Sequence, residues 1–175
     1  MYSTSTDLKQ KIREIQDFPG PGVLFRDITP LLRDADGFRS AIEGMAGMVE
    51  DLEFDLIAGP ESRGFIIGCP LAIVMGKGFI PVRKDGKLPF KTRRAEYELE
   101  YGRAVVEMHT DAIMPGQRVL LVDDLLATGG TARAICGLVE ESGGTVAGLA
   151  FLIELSGLNG RAALEGHDVR TLLKY

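Results

Sequence analysis

The chain has 175 residues, with 20 Lys and Arg against 25 Asp and Glu, a net charge of −5 and 45% hydrophobic residues. This suits one globular domain that buries roughly 70% of its extended surface, and it excludes a disordered tail or a fibre. The longest uncharged run, Gly64 to Gly76, is 13 residues, short of the ~20 that span a bilayer, and the acidic balance argues against wrapping duplex nucleic acid.

Met1-Tyr2-Ser3-Thr4-Ser5 shows no basic-then-apolar leader, so a cytoplasmic protein is expected. Leu8, Ile12 and Ile15 predict an amphipathic helix over Thr6 to Ile15. Phe18-Pro19-Gly20-Pro21-Gly22 breaks it. Asp34 or Asp36 caps a second helix, whose apolar stripe runs Phe38, Ile42, Met45, Val49, Leu52. Four unbroken apolar runs follow: Leu56 to Ala58, Phe79 to Val82, Val119 to Val122 and Ala147 to Ile153. Such runs indicate strands buried on both faces. Helices are predicted between them, over Ser62 to Met75 and over Thr131 to Ser142 with Gly143-Gly144 as its C-cap. This alternation predicts an α/β fold, an open and mostly parallel sheet flanked by helices, in a single domain over 1–175.

Two stretches break the pattern. Between Lys84 and Arg103 the chain is polar and irregular, as in a functional lid. Arg83, Lys84, Lys87, Lys91, Arg93 and Arg94 put six cations against one acid, Asp85; they form either a solvated loop or a polyanion clamp. Glu96, Glu98 and Glu100 alternate with Tyr97, Leu99 and Tyr101, as on a β-ribbon with one solvated face. Cys69 and Cys136 stand 67 residues apart in apolar surroundings, without zinc or disulfide spacing. His109 and His167 read as surface residues.

Val119 to Ala132 carries the chemistry. An apolar strand leads into Asp123-Asp124, then Ala127-Thr128-Gly129-Gly130-Thr131 opens a helix. This order puts both acids at the carboxyl end of a strand, where open α/β sheets bind ligands. The turn and helix N-terminus offer N–H groups and two threonine hydroxyls to an anion. A ligand bearing both hydroxyls and a phosphate fits this pair of features. No Gly-Lys-Ser/Thr follows, so it is not a Walker loop, and no complete dinucleotide-binding glycine fingerprint occurs.

Val119 to Thr131 resembles the 5-phosphoribosyl-1-diphosphate (PRPP) motif of the type I phosphoribosyltransferases. Three further segments are similar to those of the adenine-specific family among them: Phe18 to Leu32, Gly59-Pro60-Glu61-Ser62-Arg63-Gly64-Phe65, and Arg83 to Pro89 with Tyr97 to Gly102. The resemblance covers Ile12 to Tyr175. It implies a small N-terminal hood over about 1–33, a mobile catalytic loop over about 84–103, and a homodimer. It further implies that adenine and PRPP are converted to AMP and pyrophosphate with Mg²⁺ held mainly by substrate, without membrane or nucleic-acid partners. By the same resemblance, Asp123, Asp124, Ala127, Thr128, Gly129, Gly130 and Thr131 bind the phosphoribosyl group. Glu61, Ser62, Arg63, Arg83 and Lys87 bind pyrophosphate, across a cis Glu61–Ser62 peptide. Leu24, Phe25 and Arg26 bind adenine. Glu100, Arg63 and Lys87 are catalytic, with Tyr101 helping to close the loop. Ala127 stands where relatives acting on 6-oxopurines carry an aspartate. Gln16 and Phe90-Lys91 depart from the family pattern. A transferase for another purine, a non-catalytic PRPP-sensing regulator and a structural dimer module remain as alternatives.

Overall fold

The computed structural model describes residues 5–99 and 102–175, so Glu100 and Tyr101 lie outside the described residues. These residues form two compact units that divide between Gly44 and Met45.

The first unit holds α1 (Ser5–Gln10), β1 (Arg13–Ile15), β2 (Phe25–Asp27), α2 (Thr29–Arg33) and the start of α3 (Ala35–Met48). The helix expected through Ile15 stops at Gln10, because Arg13–Ile15 pair antiparallel with Phe25–Asp27. That pairing satisfies backbone groups of both segments and aligns Arg13 with Asp27 and Glu14 with Arg26, each an ion pair. Asp34, rather than Asp36, accepts the Gly37 N–H at 2.6 Å near the start of α3 and pairs with Lys11 at 2.7 Å. The stripe expected on this helix outlasts it: Val49 and Leu52 lie beyond Met48.

The second unit is built on seven strands: β3 (Leu56–Pro60), β4 (Gly78–Lys84), β5 (Thr92–Leu99), β6 (Gly102–His109), β7 (Arg118–Leu126), β8 (Thr145–Glu154) and β9 (Val169–Lys174). Their order is β5-β6-β4-β3-β7-β8-β9. The pairs from β4 to β9 are parallel, and β6 is antiparallel to both β4 and β5. The four apolar runs read from sequence are β3, β4, β7 and β8. Val82, Leu121, Ile135, Val139, Leu149 and Phe151 are almost wholly buried in its core, each worth about 1.5–3 kcal/mol of apolar burial. From β3 the chain passes through α4 (Arg63–Met75) to β4 on one side; from β7 it passes through α5 (Gly130–Glu141) to β8 on the other. The crossovers therefore diverge between β3 and β7, and their carboxyl ends flank the crevice where such sheets take ligands. Among the described residues no helix is long and apolar enough to cross a membrane.

The stretch expected to be irregular is mostly a hairpin. β5 and β6 pair from Thr92–His109 to Leu99–Gly102, leaving residues 85–91 as the irregular part. The alternation read in Glu96 and Tyr97 is the cause: Ala95 and Tyr97 turn onto the core while Arg94 and Glu96 face solvent.

At the end of β8, the nearly buried Glu154 takes both Nε and Nη2 of Arg161, at 2.8 and 2.9 Å, and the Thr171 hydroxyl at 2.8 Å. Arg161 also donates to the Val169 carbonyl at 2.8 Å. The Arg161 hydrogen bonds outweigh burial and hold the Glu154 carboxyl below its ordinary range. A carboxylate depressed in the native state adds stability above its unfolded pKa and loses it as pH falls through the native value. Arg161→Ala is therefore expected to cost about 2 kcal/mol near neutrality, where Glu154 would be left buried without its partner. Urea unfolding across pH should show the gap from parent narrowing on acidification; a constant gap would contradict it.

Candidate active site

The β3–β7 ladder ends at Ala58–Leu121, whereas β7 stays paired with β8 as far as Leu126–Glu154. Asp123 and Asp124 thus lie within β7, not at its tip as expected, held by β8 on one side and past the end of β3 pairing on the other. Beyond them the chain turns through Ala127, Thr128 and Gly129 into α5, and a pocket is lined by Asp123, Leu125–Ala132 and Phe151. No side chain caps α5 at Gly129, so its first-turn N–H groups, which have no intrahelical acceptor, give this end a positive potential. The predicted phosphate group, Ala127 to Thr131, lines this pocket together with Asp123.

Gly129 has φ +84°, and a Cβ there would stand 2.5 Å from the Gly160 carbonyl oxygen and 3.0 Å from Ala163 Cβ. A Cβ on Gly160 would in turn strike the Ala127 carbonyl. The short helical segment Gly160–Leu164 therefore braces the turn from behind. Sequence reasoning missed Gly160, since an isolated glycine between Asn159 and Arg161 carries no local sign of what it packs against.

The acids are tied into the neighbouring loop. Asp123 Oδ1 accepts the Asp124 N–H at 2.8 Å, and Arg63 Nε lies 3.0 Å from Asp124 Oδ2. Burial, reinforced by the adjacent carboxylate, raises the Asp123 pKa well above its ordinary value. Burial also raises that of Asp124, against the opposing pull of Arg63. Both carboxylates are thus short of positive or donating partners, which a vicinal diol or a hydrated cation supplies.

Arg63 opens α4, after a Glu61–Ser62 peptide that is cis, as the resemblance implied. Ser62 holds the N-cap position, yet its hydroxyl makes no capping bond. A Cβ on Gly64 would lie 2.7 Å from the Pro60 ring and 3.0 Å from Asp123 Oδ1, so glycine lets the helix begin close against β3 and the acids. Two groups read separately from sequence, the acid pair and the Ser62–Arg63 turn, are in contact.

Glu61 accepts Arg83 Nη2 at 2.8 Å and Nε at 3.1 Å, and its other oxygen accepts the Lys84 N–H at 2.7 Å. Burial raises its pKa, but these bonds prevail and lower it. Arg83 Nη1 donates to the Lys87 carbonyl at 3.0 Å, while the Lys87 side chain is exposed. Arg94, grouped in the sequence with the solvated cations, pairs with Asp85 at 3.1 Å. Glu107, which sequence reasoning missed, is 1% exposed and accepts the N–H groups of Lys87 and Leu88.

In the first unit, Phe25 stands edge-on to Phe18 with centroids 5.0 Å apart. It is half-buried, flanked by the half-buried Leu24 and Arg26, and Arg26 pairs with Glu14. Among the described residues no group of three or more His, Cys, Asp and Glu is placed to hold a metal.

Gly129→Ala is expected to cost about 2–3 kcal/mol through its positive φ and the collision with Gly160. Gly20→Ala, in open space, should change stability by less than about 0.5 kcal/mol. Thermal unfolding of both variants checks this; equal midpoints would mean that the turn is not braced.

The family model for the phosphoribosyl transferase domain matches residues 33–173. An adenine phosphoribosyltransferase of Thermotoga neapolitana is 58% identical over 169 residues, covering 97% of this chain and 99% of the relative. The crystal structure of adenine phosphoribosyltransferase from Thermoanaerobacter pseudethanolicus superposes with a TM-score of 0.97 at 54% identity, over 98% of this chain and 100% of that one. The Saccharomyces cerevisiae enzyme, solved with an imino-altritol bisphosphate and adenine, gives 0.90 at 39% identity over 96% and 97%. With an acid pair, an open helix N-terminus and an arginine-bearing turn assembled at the switch point of its sheet, the chain belongs to the adenine phosphoribosyltransferase family.

Proposed function

We propose that this protein is a cytoplasmic purine-salvage enzyme that transfers the 5-phosphoribosyl group of PRPP to N9 of adenine, giving AMP and pyrophosphate. The observation that carries the reading is the buried Asp123–Asp124 pair beside the uncapped start of α5. Asp123 and Asp124 accept the ribose hydroxyls, and the Ala127–Thr131 turn takes the 5′-phosphate through its N–H and hydroxyl donors. Bond making at N9 expels pyrophosphate from C1′, and positive charge grows on the ribose ring as the bond to pyrophosphate lengthens. Arg63, Arg83, Lys87 and the Glu61–Ser62 backbone bind the departing anion, so the charge it gains meets fixed donors. Leu24, Phe25 and Arg26 take the base, as the family resemblance implies, and Ala127 in place of an aspartate favours adenine. Glu100 takes up the proton that the purine ring releases, and Tyr101 closes beside it.

Mg²⁺ neutralises diphosphate charge when bound with PRPP. Two carboxylates short of donors suit a hydrated ion held chiefly by substrate oxygens, and Asp123 and Asp124 would meet its water shell.

The protein acts as a homodimer through α4. Twelve of that helix's 13 residues are uncharged, and it leaves Ile66, Ile73 and Val74 at 40, 82 and 55% exposure. Such a patch suits a second copy of the chain.

A purine panel with PRPP and Mg²⁺, read by pyrophosphate release, tests the activity. Adenine should outpace hypoxanthine, guanine and xanthine by at least about 10²-fold. Faster turnover of a 6-oxopurine would overturn the substrate, and no turnover of any would favour the regulator. Ile73→Glu should shift the sedimentation coefficient from dimer to monomer; an unchanged dimer would rule out this face.

A further inference from the structure

Glu107 sits in the middle of a cross-strand row: it pairs with Arg83 on β4 and with Arg94 on β5. It is buried between Val106 and Met108, which are equally withdrawn from water. A carboxylate here is costly unless its oxygens are answered. Oε1 is answered by two backbone donors of one turn, the N–H groups of Lys87 and Leu88, both at 2.9 Å. Oε2 lies 3.6 Å from Arg94 Nε, and the Thr92 hydroxyl also donates to this carboxylate. The turn it grips is otherwise in solvent, with Lys84, Asp85, Gly86 and Lys87 all exposed.

The opposite side of the same residue is held as well, because Arg83 Nη1 donates to the Lys87 carbonyl at 3.0 Å. Arg83 is itself clamped by Glu61. The Lys87 backbone is thus fixed at its N–H by Glu107 and at its C=O by Arg83, while its side chain projects freely into solvent. Neither the diol contacts nor the proton transfer proposed above gives Glu107 a task. A long, flexible cation serves an anion best when its backbone is already fixed, since less conformational freedom is lost on binding.

We infer that Glu107 is a positioning residue for pyrophosphate recognition, acting through the Lys87–Leu88 backbone to fix where the Lys87 ammonium can reach. The inference rests on the proposed role of Lys87. Glu107 touches no substrate; it sets the turn from which the cation acts. Its reach sets the turn, because Oε1 takes the Lys87 and Leu88 N–H groups and the carboxylate also takes the Gly86 N–H, while the Thr92 hydroxyl and Arg94 answer the rest of it.

The test is a steady-state series on the full-length protein: Glu107→Ala, Glu107→Asp, Glu107→Gln, Lys87→Ala and Glu107→Ala combined with Lys87→Ala. Glu107→Ala should raise KM for PRPP by about 10-fold or more and leave KM for adenine within about 2-fold. Glu107→Gln, whose amide oxygen still accepts both N–H groups, should stay within about 3-fold of parent for PRPP. Glu107→Asp, which keeps the charge but withdraws it from the turn, should behave like the alanine variant and replaces it if alanine does not fold. Adding Glu107→Ala to Lys87→Ala should cost less than about 2-fold more. The inference is overturned if the two costs multiply, if both KM values rise together, or if the glutamine variant is as impaired as the alanine one. A parent-like Lys87→Ala would instead remove the pyrophosphate role of Lys87, whereas an impaired Lys87→Ala beside a parent-like Glu107→Ala would remove the inference alone.

Discussion

Two adjacent carboxylates, the buried Asp124 and the half-buried Asp123, are the constraint around which the larger unit is arranged. Their hydrogen bonds to each other and to nearby backbone N–H groups, with one arginine, do not offset the cost of withdrawing them from water. The sheet creates this condition by geometry. β7 stays paired with β8 after its ladder with β3 has stopped at Ala58–Leu121, so the acids are held in backbone on one side and released from strand pairing on the other. Rigidity prevents them from turning away, and their shortage of donors is what a diol relieves. Arg63 binds the first residue of α4 to this pair, so the loop after β3 and the strand end of β7 are fixed relative to each other.

The Ala127–Thr131 turn depends on the same close packing. Its N–H groups are aimed by α5, and its backbone is backed by Gly160 at a distance that admits no side chain at Gly129. The segment that supplies Gly160 is itself fastened by the Glu154–Arg161 pair. A second pair of carboxylates organises the basic turn after β4. Glu61 fixes Arg83 and the Lys84 N–H, and Glu107 fixes the Lys87 and Leu88 N–H groups. Acidic residues thus arrange the cations of this turn.

Much of this was legible in the residues. The apolar runs at Leu56, Phe79, Val119 and Ala147 became the parallel strands they suggested, because unbroken Val, Ile and Leu have few other ways to be buried. Asp123-Asp124 followed by Thr-Gly-Gly-Thr was readable as a strand that turns into a helix, because that pattern is local, and the turn lines a pocket. The errors have local causes too. Ile12 and Ile15 match a helical period, yet Arg13–Ile15 found a strand partner ten residues onward. From Thr92 the many charges mask the strand, and only the alternation from Glu96 onward marks it as a β-ribbon, because its apolar members, Ala95 and Tyr97, are few.

By itself, the amino-acid sequence determined the four apolar parallel strands, the acid pair, the glycine turn and the clustering of six cations, since each is specified by residues within a dozen positions of one another. Tertiary structure alone decided that Arg63 meets Asp124, 61 residues away, that Glu107 holds a turn 20 residues earlier, and that Gly160 braces Gly129. It also decided that α4, apolar along most of its length, leaves Ile73 exposed. Hydrogen bonds and close approaches of this kind depend on where the sheet order sets β3, β4, β6 and β7 beside one another, and that order is a property of the packed chain rather than of any window along it.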